Sequence, residues 1–202
     1  MKTTILFFLT ILSLVGCSKD SAGSKTDPIF QLPPETQTGA NTFGVTIRGK
    51  VYVPRDPKGV NFGAPARRGL YLTGFESTNY NYTEINAVDG ASATGFKIII
   101  HLEGFFPVDT YNLMQSNFLD QVDSIKENHI YFKIYDPRIS NYVYYGSVAN
   151  QGSVKITRHS NGIIAGSFHG KFVRFDNPNE FIQINDGRFD INSFTIQDKI
   201  FP

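Results

Sequence analysis

The sequence predicts an all-β domain, an antiparallel β-sandwich of about ten strands with at most one short helix. A partly closed β-barrel is the alternative. Three observations point there. From Phe43 onward, short apolar runs with period two are separated by glycine, Asn-Gly and Asp-Gly. The chain holds 18 Phe and 10 Tyr, residues that suit a pleated, half-buried surface. One stretch alone, 115–127, has apolar residues near helical spacing.

The chain opens with Met1-Lys2 and an apolar run from Ile5 to Val15 broken by Thr10 and Ser13. That run is too short to span a bilayer, which takes about 20 apolar residues, and it has the form of a secretory signal. It ends in Leu14-Val15-Gly16-Cys17, which resembles a bacterial lipobox. The resemblance implies that residues 1–16 are removed, that Cys17 is lipidated, and that its acyl chains hold the protein on a membrane. Buried methylenes contribute about 0.8 kcal/mol each to such anchoring. Cys17 is the single cysteine, so no internal disulfide can form. Residues 17–41 read as a tether, small, polar and charged at first and then proline-containing at Pro33-Pro34. Lys19-Asp20 resembles the charged tags of surface-displayed Bacteroidota lipoproteins. The expected location is therefore the outer membrane, facing either the cell surface or the periplasm. Asp20-Ser21-Ala22 and Asp123-Ser124-Ile125 resemble short O-glycosylation motifs of that phylum, and chance tripeptides explain them equally well.

Residues 42–202 read as a single domain of about 160 residues, long enough to bury a core. The first strand signal, 43–53, alternates cleanly and shifts phase at Gly49, where a bulge or bend is expected. Residues 54–68 carry three prolines and two glycines and read as a loop. Strands are expected at 69–75, 80–88, 96–102 and 109–114. Ile98-Ile99-Ile100, apolar on both faces, marks a central strand. The stretch 115–127 is either a short helix with Ser116 as N-cap or an extended insertion. Further strands are expected at 129–135, 142–148, 152–158, 163–175, 181–184 and 187–191. Asn161-Gly162 and Asp186-Gly187 both read as hairpin turns. Ile164, Phe168 and Phe172 share a face and are core candidates, while Gly166 and Gly170 leave room for a bend or a neighbouring ring.

Both ends of the domain carry a family resemblance. LPPETQTGANTFGVTIRGKVYVP and GSVKITRHSNGIIAGSFHGKFVRFDNPNEFIQINDGRFDI resemble a family of Bacteroidota lipoproteins whose domain has no assigned function. The resemblance implies an exported, lipid-anchored β domain and carries over no catalytic residues.

Chemistry-bearing patterns are sparse. His101 and Glu103 are two apart on a strand, hence on one face, a geometry a metal site could use. The other histidines are scattered, and isolated strand-face histidines are the simpler reading. Asp176, Asn177 and Glu180 cluster in one turn without the spacing of a calcium loop. No GxSxG elbow and no phosphate loop occurs. No catalytic residue, metal ligand or cofactor is assigned. Loss of Lys2 with the signal leaves 18 basic and 18 acidic residues and no basic stripe, which excludes a nucleic-acid partner.

The expected function is a non-enzymatic binding or interaction module of the cell envelope. A glycan-binding accessory lipoprotein and, behind it, an envelope hydrolase are the alternatives. Partners are the membrane, through Cys17, and an envelope protein or glycan. Tyr80 and Tyr82 share a strand face, and their amphipathic rings are the candidate ligand-binding residues. The loop 54–68 and the insertion 115–127, the segments a β framework explains least, are expected to join them in the contact surface.

Overall fold

The computed structural model describes residues 30–59, 68–104 and 106–202. The signal segment, Cys17, the start of the tether and most of the loop 54–68 lie outside them. Ten strands form: β1 (Thr42–Ile47), β2 (Lys50–Tyr52), β3 (Leu70–Glu76), β4 (Asn81–Val88), β5 (Lys97–Glu103), β6 (Thr110–Asn112), β7 (His129–Asp136), β8 (Asn141–Ser160), β9 (Ile163–Arg174) and β10 (Asn177–Asn192). They make one antiparallel sheet in the order β2-β1-β10-β9-β8-β7-β5-β4-β3, with β6 on β8. The sheet is not closed into a barrel, and its all-β architecture is consistent with the expected sandwich.

The long strands bend because they carry extra residues. Register shifts fall between Ser147 and Gly152 in β8 and between Ile184 and Gly187 in β10, and each bulge kinks its strand. The inner face then wraps one core. Phe132 meets Phe172 edge-on at 5.3 Å, and Phe43 stacks on Phe168 at 5.8 Å. Full burial of each such ring contributes about 1.5–3 kcal/mol. Ile164, Phe168 and Phe172 all belong to this core.

Turn chemistry sets the hairpins. Asn161-Gly162 has both residues at positive φ (53° and 73°) and joins β8 to β9 as expected. Arg48-Gly49 does the same for β1 and β2, with φ of 51° and 76°, so the phase shift at Gly49 is a two-residue turn instead of a bulge. Asp186-Gly187 reverses the other way. It is a bulge inside β10, and the β9–β10 turn is Phe175-Asp176. The Asp186 carboxylate accepts the Thr46 N–H of β1 at 3.1 Å, which holds the bulge against the neighbouring strand.

The insertion 115–127 is not an α-helix. Its regular part is a single 3-10 turn, Gln121–Asp123. Ser116 Oγ accepts the Phe118 N–H at 3.0 Å and Asn117 Oδ1 accepts the Leu119 N–H at 3.1 Å, local bonds that compete with a helical ladder. Phe118 and Gln121 adopt left-handed φ of 62° and 54°.

Residues 36–40, read from sequence within the tether, lie on β10. Asp190 accepts Thr36 Oγ1 at 2.6 Å and the N–H groups of Thr38, Gly39 and Ala40 at 2.9, 2.7 and 3.2 Å. Burial opposes ionisation of Asp190, but these donors outweigh it and hold the carboxyl below its ordinary range.

Candidate functional site

Strand alternation sorts β4, β5 and β7 into two chemistries. Ile85, Ala87, Ile98, Ile100, Leu102, Ile130 and Phe132 enter the core. Their neighbours Glu84, Asn86, His101 and His129 face the other way, yet none is more than 2% exposed. The insertion bonds to Glu84, His101 and His129, and Asn86 donates to Thr73 Oγ1. Adjacent strands pair Glu84 with His101 and His101 with His129. Tyr82, His101 and His129 consequently form a continuous ring stack, with centroids 5.1 and 4.8 Å apart.

Polar bonds fasten the insertion to this floor. Glu84 Oε1 lies 3.0 Å from His101 Nδ1 and accepts the Gln121 N–H at 2.6 Å. Glu84 Oε2 accepts Thr73 Oγ1 at 3.1 Å. His101 Nε2 lies 3.2 Å from Glu103 Oε2. Asp120 pairs with Lys97 at 3.1 Å. Burial, reinforced by the Asp120 and Glu84 charges, pushes the Tyr131 phenol well above its usual value. His129 Nδ1 meets the Glu127 carbonyl at 2.8 Å, whereas its buried Nε2 has no hydrogen-bond partner. The Leu119 carbonyl acts on this ring in the raising direction without reaching hydrogen-bond geometry at Nε2. Burial dominates and lowers the His129 pKa.

The insertion thus bonds inward through the Gln121 N–H and Ser124 Oγ, while Leu119 and Val122 point out beside the exposed Gln121, Asp123 and Lys126. Leu119 is 50% exposed and Val122 46%. Phe118 does pack inward, edge-on to Phe175 at 4.9 Å, and its ring lies over Gly146, where an added Cβ would sit 2.7 Å from Phe118 Cζ. Around the outward residues, Phe75, Phe175 and Tyr144 are also exposed. Tyr80 stands at the β3–β4 turn, 36% exposed, 6.5 Å from Phe75 and beneath the Lys126 ammonium at 4.9 Å. Tyr82 is 7% exposed and belongs to the buried stack. The structure therefore puts Tyr80 at the surface of this region and Tyr82 in its floor.

Hydrolytic chemistry finds no support in this geometry. Ser124 Oγ is nearly equidistant from the two ring nitrogens of His101, at 3.1 and 3.2 Å, so it is in line with neither lone pair. Both nitrogens already face carboxylates. Among the described residues no set of three or more His, Cys, Asp and Glu is arranged to hold a metal ion. The acidic turn after β9 is tied up in ion pairs. Glu180 accepts Arg48 at 2.7 Å, the Tyr145 hydroxyl at 2.8 Å and Arg174 at 3.0 Å, which together hold its pKa down at about 2.

No family profile, curated protein or solved structure matches this chain. The site's own geometry has to speak for its use. Sequence reasoning found the His101–Glu103 pair and the insertion, but missed Glu84 and His129, whose placement depends on strand register.

A second concavity lies elsewhere. A cleft of about 740 Å³ opens between β2 and the connection from β4 to β5, floored by Tyr52 and Phe96 and flanked by Phe30. Tyr52 and Phe96 meet edge-on at 5.2 Å. Arg55 closes one end through two bonds to Asp89, at 2.9 and 2.6 Å.

Proposed function

We propose that this chain is a lipid-anchored, non-enzymatic interaction module of the cell envelope. In this reading the acyl chains on Cys17 hold it on the outer membrane, and it binds a protein partner through the outer surface of the insertion 115–127. The observation that carries the reading is the pair of apolar side chains Leu119 and Val122 turned to solvent on a segment that is fixed to Glu84 and His101 beneath it. An insertion serving only as a cover would gain stability by burying those side chains. Clustered exposed apolar groups mark interaction surfaces. Phe75, Tyr80 and Phe175 are exposed as well, and the insertion touches two of them, Tyr80 through Lys126 and Phe175 through Phe118. Lys126 lies over Tyr80, and a surface that sets aromatic and aliphatic side chains beside charged ones such as Asp123, Lys126 and Glu127 fits a protein partner. The lipobox and the resemblance to Bacteroidota lipoproteins support the anchored, exported setting.

The test is site-specific photo-crosslinking in the native envelope, with the probe at Leu119 or Val122 and a control probe at the exposed His169. A discrete adduct at the two insertion positions, absent at the control and lost in the variant carrying Phe75→Asp and Tyr80→Asp, is expected. Adducts of equal yield at the control position, or none at the insertion, would sink the reading. A glycan adduct at the same positions would move it to the glycan-binding alternative.

A further inference from the structure

We infer that the cleft beside β2 takes an extended, carboxylate-bearing peptide segment, which adds to the open edge of that strand. This site is separate from the insertion surface and stands whether or not that surface binds.

The register fixes which backbone groups are available. β1 and β2 are joined by the two-residue turn Arg48-Gly49, with Ile47 opposite Lys50. In such a hairpin the pair next to the turn exchanges both ladder bonds, and the following pair, Thr46 and Val51, exchanges none. The Thr46 N–H indeed points away from β2, to Asp186 at 3.1 Å. By the same alternation the N–H and C=O groups of Val51 point away from β1, into the cleft, and Val53, one residue past the strand, also lines it. Two residues further on, the same parity is already paired. The Arg55 N–H donates to the Val88 carbonyl at 3.0 Å, and the Gly90 N–H donates to the Arg55 carbonyl at 2.9 Å. The edge of β2 is thus stitched to the opposite half of the sheet at Arg55 and splays open toward Lys50. Among the described residues, the Val51 and Val53 rungs along the opened side have no strand to pair with.

Charge and ring geometry choose the occupant. Arg55 and Asp89 cancel each other in their ion pair. Lys50 makes no ion pair among the described residues, so it leaves the cleft one net positive charge. A sugar would need an open ring face. The Tyr52 ring has the Lys50 ammonium 5.0 Å from its centroid, and the Phe30 ring has the Arg55 guanidinium at 5.7 Å. An extended peptide needs no ring face. It uses backbone rungs for affinity and a side-chain pocket for selectivity, and a Glu or Asp reaches Lys50. Open edge strands are avoided in soluble proteins unless guarded or used.

The experiment uses the isotope-labelled full chain in detergent and the capped probe peptide Val-Glu-Val-Thr-Val-Glu at up to millimolar concentration. Saturable shifts of the Val51 and Val53 amides are expected. The N-methylated probe, which cannot form the rungs, should bind about tenfold more weakly or worse, since about 1.4 kcal/mol corresponds to tenfold. The Glu→Lys probe and the protein variant Lys50→Glu should each lose a similar factor. Val51→Pro removes one donor at an edge position that tolerates proline, and should abolish the shifts. If that variant fails to fold, Lys50→Glu and the N-methylated probe decide alone. Unmoved Val51 and Val53 amides at millimolar probe, or equal binding of the N-methylated probe, would overturn the proposal. So would shifts that depend on protein concentration without peptide, because the edge would then pair with a second copy.

Discussion

His129 is the residue whose chemistry the fold alters most usefully. Burial lowers its pKa below the ordinary 6.5, with the positive form of the neighbouring His101 acting the same way and the Glu127 carbonyl opposing. A depressed histidine stays neutral in the folded chain while the unfolded chain takes up a proton. Its contribution is therefore fully present above about pH 6.5 and is lost as pH falls below that value toward the folded one. Corrected for the intrinsic rate, which falls as pH falls, hydrogen exchange of the insertion amides should be faster at pH 5 than at pH 7.5. In His129→Phe that difference should vanish, and an identical pH response in both proteins would exclude His129 as its source. The sequence makes half of this cluster legible. His101 and Glu103 show as a same-face pair because alternation is a local property. Glu84 and His129 do not show, because their distance to His101 is set by pairing between strands far apart in the chain.

At the scale of elements, the insertion and Gly146 fit each other. An added side chain at Gly146 would meet Phe118 Cζ at 2.7 Å and Ser116 Cβ at 2.9 Å, so the insertion could not keep its seat. Gly146→Val should cost about 1–3 kcal/mol in chemical denaturation, the usual range for overpacking. It should also speed tryptic cleavage at Lys126. Unchanged cleavage with unchanged stability would mean that the insertion rests on its polar bonds alone. The same element explains a mixed reading of the sequence. Phe118, Leu119, Val122 and Ile125 carry a helix-like spacing, but Ser116 and Asn117 spend their side chains on nearby amides and break the ladder. Asp186-Gly187 is ambiguous for a related reason, since a tight turn and a bulge both need a small residue after a capping aspartate. Its partner, the Thr46 amide, decides between them and lies 140 residues away.

The whole molecule is a sheet whose antiparallel pairing follows from alternation and turn spacing, while its strand divisions and strand order do not. Sequence predicts separate strands at 142–148 and 152–158, where the chain forms one 20-residue strand with a bulge. Alternation lapses at such a bulge, so one strand reads as two. The anchor belongs to this scale as well. Cys17→Ser should move the protein from the membrane fraction to the soluble fraction and end palmitate labelling. Persistent labelling with membrane fractionation would refute the lipidated reading. If the anchor holds, the clasp at Asp190 acquires a mechanical meaning. Tension on the chain ahead of residue 36 meets the five donors gathered on that carboxylate before it reaches β1. β1 is flanked by β2 and β10, so the load then runs along the strand and strains its ladder bonds together instead of peeling an edge bond by bond. A domain tethered at this point should yield at high force and in a single step, and Asp190 is the buckle that shields β1 from the pull.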